Sequence, residues 1–514
     1  MLSERTEPAS SAPPEQSSRA GGVAVVAVAL VVAVGVVLRF TAPPYLWLDE
    51  AQSVAIARSS LGGLYTGLRE DGAPPLYYLL LHGWMAVFGQ GAFAVRSLSG
   101  LFSVAALPVA WVLGRRLAGP RSATALVVLL ASSPFAVRYG SETRMYALVV
   151  LLVLLGAAAI TWVPRRRGPL PVLAVAVSTA ALLYTHYWAS YLLAAVTVVT
   201  LAAVRWRRDV ALRVLAGLVL GGVAFLPWVP TLLWQLRHTG TPWAGVGGMS
   251  ALTSALSAWR GGGRPAPKVL GWVFVALALL AVCTVRTGGA LRLGMTRSPG
   301  RWALVATSVG TLVIAGAASL LTSSATVARY TSVAFPAFLA LVAVGIAQLP
   351  GRRAAALVLA ACALVGLSGA VAHVRVPRTQ AGAVAAVLGD AEPGDVVAFC
   401  PDQLGPAVAR VAPPGLDLVV YPDLRPAGRV VWTDYAARNQ GADPAAVAAA
   451  VSRRAAGHAV WVVTGRGYRV PSDATCSRFR DDLAALRGDP REVLDRDRAS
   501  GEAVRVHVFR PVAG

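Results

Sequence analysis

From Gly22 to Ala372 the chain is a succession of apolar runs parted by short clusters of arginine. An apolar helix of about 20 residues spans the ~30 Å hydrocarbon core of a bilayer, and inside that core every backbone N–H and C=O must find its partner within the protein. A chain with so many of these runs is expected to be a bundle of membrane helices. Composition supports this: 56% of the 514 residues are hydrophobic and 14% are charged, too little charge to cover a soluble globule of this length. The net charge of +22 is the one property that suggests a nucleic-acid partner. Its distribution argues otherwise, because Arg115-Arg116, Arg165 to Arg167, Arg205 to Arg208 and Arg352-Arg353 all sit between apolar runs, as cytoplasmic loops do.

Residues 1–21 are rich in Ser, Pro and Glu, lack hydrophobic periodicity and read as a disordered cytoplasmic tail. The run at 22–40 closes on Arg39-Phe40-Thr41-Ala42-Pro43-Pro44 rather than on a small-residue cleavage pattern, so it is expected to remain as the first membrane helix. Further helices are expected at 75–89, 94–113, 121–138, 144–163, 170–184, 188–204, 211–229, 268–286, 302–321, 331–348 and 354–372. That makes about 11 to 13 spans of a multi-pass plasma-membrane protein. The basic loops at 114–121, 164–168, 205–213, 286–301 and 351–353 belong in the cytoplasm and agree with one another from residue 94 onward. They put Arg138 to Tyr146, Thr185 to Trp188, Pro227 to Arg264 and Ser323 to Tyr330 on the far side. The beginning breaks this parity unless one segment fails to cross. The run at 75–89, short and opening on Pro74-Pro75, is the expected re-entrant or interfacial piece.

Beyond Ala372 the pattern changes. The apolar runs Val396 to Phe399, Leu418 to Val420, Val460 to Val463 and Val504 to Val508 have strand length and are separated by helix-like segments at 379–389, 443–456 and 479–487. A membrane part, 22–375, is thus expected to be followed by a soluble α/β domain, 378–514. The helix at 354–372 leaves Arg352-Arg353 in the cytoplasm, which makes that domain extracytoplasmic. Of the four cysteines, Cys283 and Cys362 fall in membrane helices as packing residues. Cys400 and Cys476 share the outer domain, where they either pair as a disulfide or stay two buried thiols. No His or Cys cluster has metal-ligand spacing, and no Walker or dinucleotide glycine motif is present, which argues against ATP or NAD as a direct cofactor.

The chemistry-bearing residues gather at the outer ends of the runs. Asp49-Glu50 stand beside Trp47 in the first outer loop, 41–74, followed by Arg58, Arg69, Glu70 and Asp71 and then by Gly72-Ala73-Pro74-Pro75-Leu76-Tyr77-Tyr78. Ionisable groups at a membrane boundary are costly unless solvated or paired, and are functional candidates for that reason. On spacing alone the plainer reading is a pair of acids answering the dipole of a short helix from Ala51 to Arg58.

A wider pattern bears on that choice. An early membrane helix is followed by Leu48-Asp49-Glu50-Ala51, by Asp71-Gly72-Ala73-Pro74-Pro75-Leu76-Tyr77-Tyr78 running on to His82, by Phe88-Gly89 and by Ala94-Val95-Arg96-Ser97-Leu98-Ser99. Then come Ser133-Pro134-Phe135, Tyr139, Ser141-Glu142-Thr143-Arg144-Met145-Tyr146, Thr185-His186-Tyr187 and, more faintly, Ala328-Arg329-Tyr330 ahead of Pro336. Each motif alone is weak, but their order resembles the GT-C glycosyltransferases of the protein O-mannosyltransferase and aminoarabinose transferase type, over residues 22–345.

The resemblance implies an inverting transferase that moves a sugar from a polyprenyl-phosphate carrier to a hydroxyl of a glycan, lipid or protein acceptor on the outer face. Asp49 matches the first acid of the family's Asp-Glu motif and is the implied general base, with Glu50 positioning acceptor or metal. A hydroxyl is a poor nucleophile and needs a carboxylate within hydrogen-bond reach, whereas polyprenyl phosphate leaves already charged and needs cations. Arg58, Arg138, Arg144 and Arg329, with Tyr330, are the candidate phosphate ligands, Arg329 being preferred. Asp71, Glu142, Tyr146 and His186 form a secondary set.

Plainer roles stay open: interface anchoring for Arg58, Arg69 and Arg329, an internal ion-pair network for Arg138, Arg144 and Glu142, a helix-end contact for Arg96, a structural role for His186, and helix capping for Glu50. No cofactor is assigned, and a divalent cation held by Asp49 and Glu50 is left open. Many relatives carry a histidine before the Pro-Pro pair where this chain has Ala73, which bears on the acceptor more than on the reaction. The outer loop at 227–264 contains Trp228, Trp234, Trp243 and Trp259, of which Trp228 is expected in an interfacial belt and Trp243 in contact with acceptor. The alternative class, a lipid or solute transporter, would show repeated halves with matching broken helices, and no such repeat is found.

Overall fold

The computed structural model describes residues 14–240, 250–261, 265–287, 290–322 and 327–511. Its first part is helical: α1 (Pro14–Leu38), α2 (Leu48–Ala57), α3 (Leu61–Asp71), α4 (Leu76–Phe88), α5 (Ala92–Ala118), α6 (Pro120–Ser132), α7 (Pro134–Gly140), α8 (Tyr146–Trp162) and α9 (Pro169–Leu183). There follow α10 (Ala189–Ala203), α11 (Arg208–Phe225), α12 (Val229–His238), α13 (Ser250–Trp259), α14 (Pro265–Cys283), a β1–β2 hairpin (Thr284–Thr287, Ala290–Leu293), α15 (Pro299–Thr322), α16 (Phe335–Gln348) and α17 (Arg352–Arg375). Among the described residues, four helical segments are long and apolar enough to cross a membrane: Ala92–Ala118, Arg208–His238, Pro299–Leu320 and Arg352–Arg375. The pair α6 and α7 makes a fifth if its 57° bend is counted within one span. The other apolar helices have 10–17 residues.

Several boundaries differ from expectation, each for a local reason. The helix expected at 121–138 breaks at Ser133, whose extended backbone and side chain cap α7 by accepting from Ala136 N–H at 3.2 Å, while Pro134 denies α6 its next hydrogen bond. The freed carbonyls of Leu130 and Ala131 are taken by Arg39, fully buried at the end of α1, at 2.8 and 2.9 Å. The segment at 75–89 is α4, 13 residues long or ~20 Å, short of a bilayer core. The first helix begins at Pro14, eight positions ahead of the Gly22 expected from the sequence, so only 1–13 of the expected tail lie outside the described residues. Buried at every position but Ala337, α16 forms the axis of the bundle against α5, α6 and α14.

The C-terminal domain is a six-stranded sheet of order β5-β4-β3-β6-β8-β7. Its strands are β3 (Val396–Cys400), β4 (Asp417–Val420), β5 (Arg425–Pro426), β6 (Val460–Gly465), β7 (Arg491–Leu494) and β8 (Val504–Phe509). The central β4-β3-β6 ladder is parallel and the edges antiparallel. Every residue of β3 and β6 is buried, as expected of strands covered on both faces. On one face lie α18 (Ala381–Val387) and α19 (Gly405–Ala409); α20 (Tyr435–Gln440) follows β5, and α21 (Pro444–Ala455) and α22 (Asp473–Arg487) cover the other face. Cys400 at the end of β3 is disulfide-bonded to Cys476 in α22, their Cα atoms 5.5 Å apart.

The two parts meet over α2. Nearly all of this ten-residue helix is buried: one side packs on Tyr77, Tyr78 and Leu81 of α4, the other on the C-terminal domain. The loop after β5 runs along α3 and α12, with Arg429 paired to Glu70 at 2.5 Å and Asp434 N–H donating to His238 carbonyl at 2.7 Å.

Candidate active site

Successive residues of a helix point about 100° apart, so Asp49 and Glu50, side by side in the first turn of α2, look into different surroundings. Glu50 faces inward and is fully buried. Arg96 of α5 grips it through two bonds, Nε to Oε1 at 2.7 Å and Nη2 to Oε2 at 2.6 Å, and Thr143 N–H donates to Oε1 at 2.9 Å. Arg378 lies 3.8 Å away on the side of the C-terminal domain. Arg96 also donates to the Tyr45 carbonyl at 2.9 Å, tying the loop before α2 to the same point.

Asp49 keeps 15% of its side chain exposed and faces two arginines of the helical part. Its Oδ2 is 3.1 Å from Arg329 Nη1 and 4.0 Å from Arg144 Nε. The other end of Arg144 donates to Ser53 Oγ at 3.0 Å, and Ser53 Oγ in turn donates to the Asp49 carbonyl at 2.7 Å. Arg144 is thereby locked to the helix that carries the acid. Tyr146, His186 and Tyr330 line the same region, the His186 ring 5.7 Å from Tyr146 and 5.1 Å from Tyr330. His186 Nδ1 accepts from Trp188 N–H at 3.1 Å, and burial together with the charges of Arg144 and Arg329 pushes its pKa down to about 3. It therefore stays neutral. The hydroxyl of Tyr146 is buried and has no hydrogen-bond partner among the described residues, a lack that a bound polar group would answer.

The structure brings together Asp49, Arg144, Arg329, Tyr146, His186 and Tyr330. Asp71 stands one step behind, receiving Gln52 Nε2 at 3.0 Å and Tyr78 OH at 3.3 Å, with burial holding its carboxyl above the usual range. Arg138 and Glu142 form a pair at 3.6 Å, with Arg378 also 3.6 Å from Glu142, so the internal-network role fits them.

Three of the expected groups have surroundings that fit their plainer roles better. Arg58, at the far end of α2, is exposed and lies near Gly428 of the C-terminal domain, a full helix length from Asp49. Glu50 is consumed by Arg96 and Thr143 and presents no free oxygen for acceptor or metal. The two acids also diverge and are matched by arginines, and no group of three or more His, Cys, Asp or Glu among the described residues is arranged to hold a metal ion. A divalent cation does not fit this pair. As for the loop tryptophans, Trp259 is buried with Nε1 bonded to Thr331 at 3.0 Å, Trp228 donates to Tyr187 OH at 2.9 Å, and Trp234 stacks between His238 and Arg69. Trp243 lies outside the described residues.

Sequence reading undervalued Arg96, although it is the one charge between Ala92 and Gly114 of an apolar helix, the kind of signal that marks a paired intramembrane group. Gln52, Arg378 and Glu502 carried no such signal.

The family model for dolichyl-phosphate-mannose-protein mannosyltransferase matches residues 72–234, the stretch that holds Arg96, Arg144 and His186. Among solved structures, ArnT from Cupriavidus metallidurans bound to undecaprenyl phosphate is 13% identical, with 95% of this chain and 97% of that one covered at a TM-score of 0.57. Residues 72–234 of this chain are thus similar to that family, and its fold is like that of ArnT. The apo form of the same ArnT gives 14% identity and a TM-score of 0.58 over 95% and 98% of the chains. The apo oligosaccharyltransferase of Archaeoglobus fulgidus gives 10% and 0.53 over 86% and 69%. Comparison with curated protein sequences gives no match. At these identities the structural likeness speaks for a shared fold alone, over 95% of this chain in the ArnT comparison.

Proposed function

We propose that this protein is a GT-C-type glycosyltransferase that transfers a sugar from a polyprenyl-phosphate donor to an acceptor hydroxyl, in one inverting displacement on the extracytoplasmic face of the membrane, where its C-terminal domain also lies. The observation that carries this reading is the Asp49 carboxylate set against Arg329 and Arg144. A single displacement needs a base for the attacking hydroxyl and cations for the departing phosphate, within one sugar's reach of each other. The ArnT structure, whose bound lipid is undecaprenyl phosphate, supports the choice of carrier.

In this mechanism the acceptor oxygen attacks the anomeric carbon as the bond from that carbon to the phosphate oxygen breaks. Asp49 takes the hydroxyl proton, and the polyprenyl phosphate departs with the bonding pair. Arg329, with Arg144 beside it, offsets the charge growing on the phosphate. Until then Asp49 is the counter-ion of these guanidiniums. A phosphate entering beside Arg329 shares that role and leaves the carboxylate available to the proton. His186, being neutral, contributes no cation; its ring packs edge-on against Tyr330 beside Arg329.

Purified protein in proteoliposomes, offered undecaprenyl-phosphate-linked pentoses and hexoses with a mixture of glycan, lipid and peptide acceptors, should consume one donor and release undecaprenyl phosphate. The product should have the opposite anomeric configuration to the donor. Retention of configuration, or movement of the lipid across the bilayer with no sugar transferred, would contradict the proposal.

A further inference from the structure

We propose that Glu502 of the C-terminal domain is a positioning residue for Asp49: it caps the N-terminus of α2 and so makes that domain part of the catalytic unit. The inference rests on the reading of Asp49 as the base.

The first N–H groups of a helix have no partner inside it, and a side chain just ahead of the helix ordinarily answers one of them. Here the preceding residue is Trp47, extended in backbone, whose side chain makes no capping bond. The cap arrives from 454 residues downstream: Leu48 N–H donates to Glu502 Oε1 at 2.8 Å, one residue before Asp49.

Glu502 is itself held firmly. The segment after α17 pairs with the segment before β8 through Gly501 N–H to Pro377 O at 3.0 Å, Glu502 N–H to Arg378 O at 2.9 Å and Gln380 N–H to Glu502 O at 3.2 Å. This approach requires glycine at 501, since a Cβ there would sit 2.8 Å from the Arg378 carbonyl oxygen. The same short pairing places Arg378, which donates to Ser141 O and Oγ at 3.1 and 2.9 Å. Two further ties hold the same region. Tyr45 lies over Gly382, where a Cβ would meet its ring at 2.2 Å. One turn into α2, Gln52 exchanges bonds with both backbone groups of Val430, at 2.8 and 2.9 Å. The C-terminal domain thus grips α2 at its first residue and again one turn later. Arg329 and Arg144, which face Asp49, belong to the membrane part. The distance between base and cations is therefore set jointly by the two parts of the chain, and a misplacement of about 1 Å at such a centre can cost of order 100-fold in rate.

The test uses the full chain in proteoliposomes with three forms: wild type, Glu502→Ala and Glu502→Gln. Glu502→Ala should lower kcat about 10- to 100-fold while leaving KM for donor within about 3-fold. Glu502→Gln, whose amide oxygen can accept the same N–H, should restore kcat to within a few-fold of wild type. Hydrogen exchange in peptides covering 46–57 should quicken in Glu502→Ala alone, with β3 and β6 unchanged. Wild-type exchange and wild-type kcat in Glu502→Ala would overturn the proposal. So would loss of transfer in a folded Glu502→Gln, which decides the matter if the alanine form proves unfolded. If wild type itself transfers no sugar, the functional reading fails, and the exchange of 46–57 still decides the cap.

Discussion

Asp49 and Glu50 share a motif and have opposite surroundings. Glu50 is an anchor: its charge is buried and answered by a two-pronged arginine, an arrangement whose loss on one side leaves an uncompensated charge worth about 3–5 kcal/mol. Arg96→Met should therefore lower the thermal midpoint markedly, and the double variant Arg96→Met with Glu50→Leu should recover part of it, because the second change removes the stranded charge. Arg58→Ala, at an exposed position, should shift stability by no more than about 0.5 kcal/mol and leave transfer intact. Thermal unfolding in detergent checks all three; equal losses in the single and double Arg96 variants would contradict the anchoring role. The motif made both acids visible in the sequence. Which of them is locked away depends on Arg96 and Thr143, and no local pattern reports those partners.

At the level of the element, the sequence showed membrane helices through their apolar runs and missed where they break. The Ser133-Pro134 break was legible, since a serine before proline is a capping signal, yet the surrounding apolar residues suggested one continuous span. What the break does could not be read: it frees the carbonyls that Arg39 occupies. The short α2 depends on a distant cap in the same way, and the chemistry of that cap gives a pH dependence. Burial raises the Glu502 pKa from 4.5 to about 8, so between these values the folded chain holds a proton that the unfolded chain releases. The stabilising contribution is thus complete below about pH 4.5 and is lost as pH rises through about 8. The midpoint of wild type should fall more steeply from pH 5 to pH 8.5 than that of Glu502→Gln, which has no proton to lose. Parallel pH profiles of the two forms would contradict this.

Across the whole molecule, the two-part architecture was legible because hydrophobic runs of membrane length give way to runs of strand length near Ala372, and the four central apolar strand runs reappear as β3, β4, β6 and β8. The short edge strands β5 and β7 were not, being polar and partly exposed. The seam was least legible of all. Glu502 to Leu48 and Gln52 to Val430 span 454 and 378 residues, and pairings at that range leave no periodicity in a single sequence. Yet this seam holds the helix on which the chemistry is proposed to rest, between a membrane part that carries the cations and a C-terminal domain that caps the helix.

The most direct measurement is single-turnover transfer from a polyprenyl-phosphate sugar by Asp49→Asn, with donor binding measured on the same preparation. The account predicts a fall in transfer of about 10²- to 10⁴-fold with donor binding kept, because the amide preserves shape and cannot accept the proton. Transfer at the wild-type rate would contradict it.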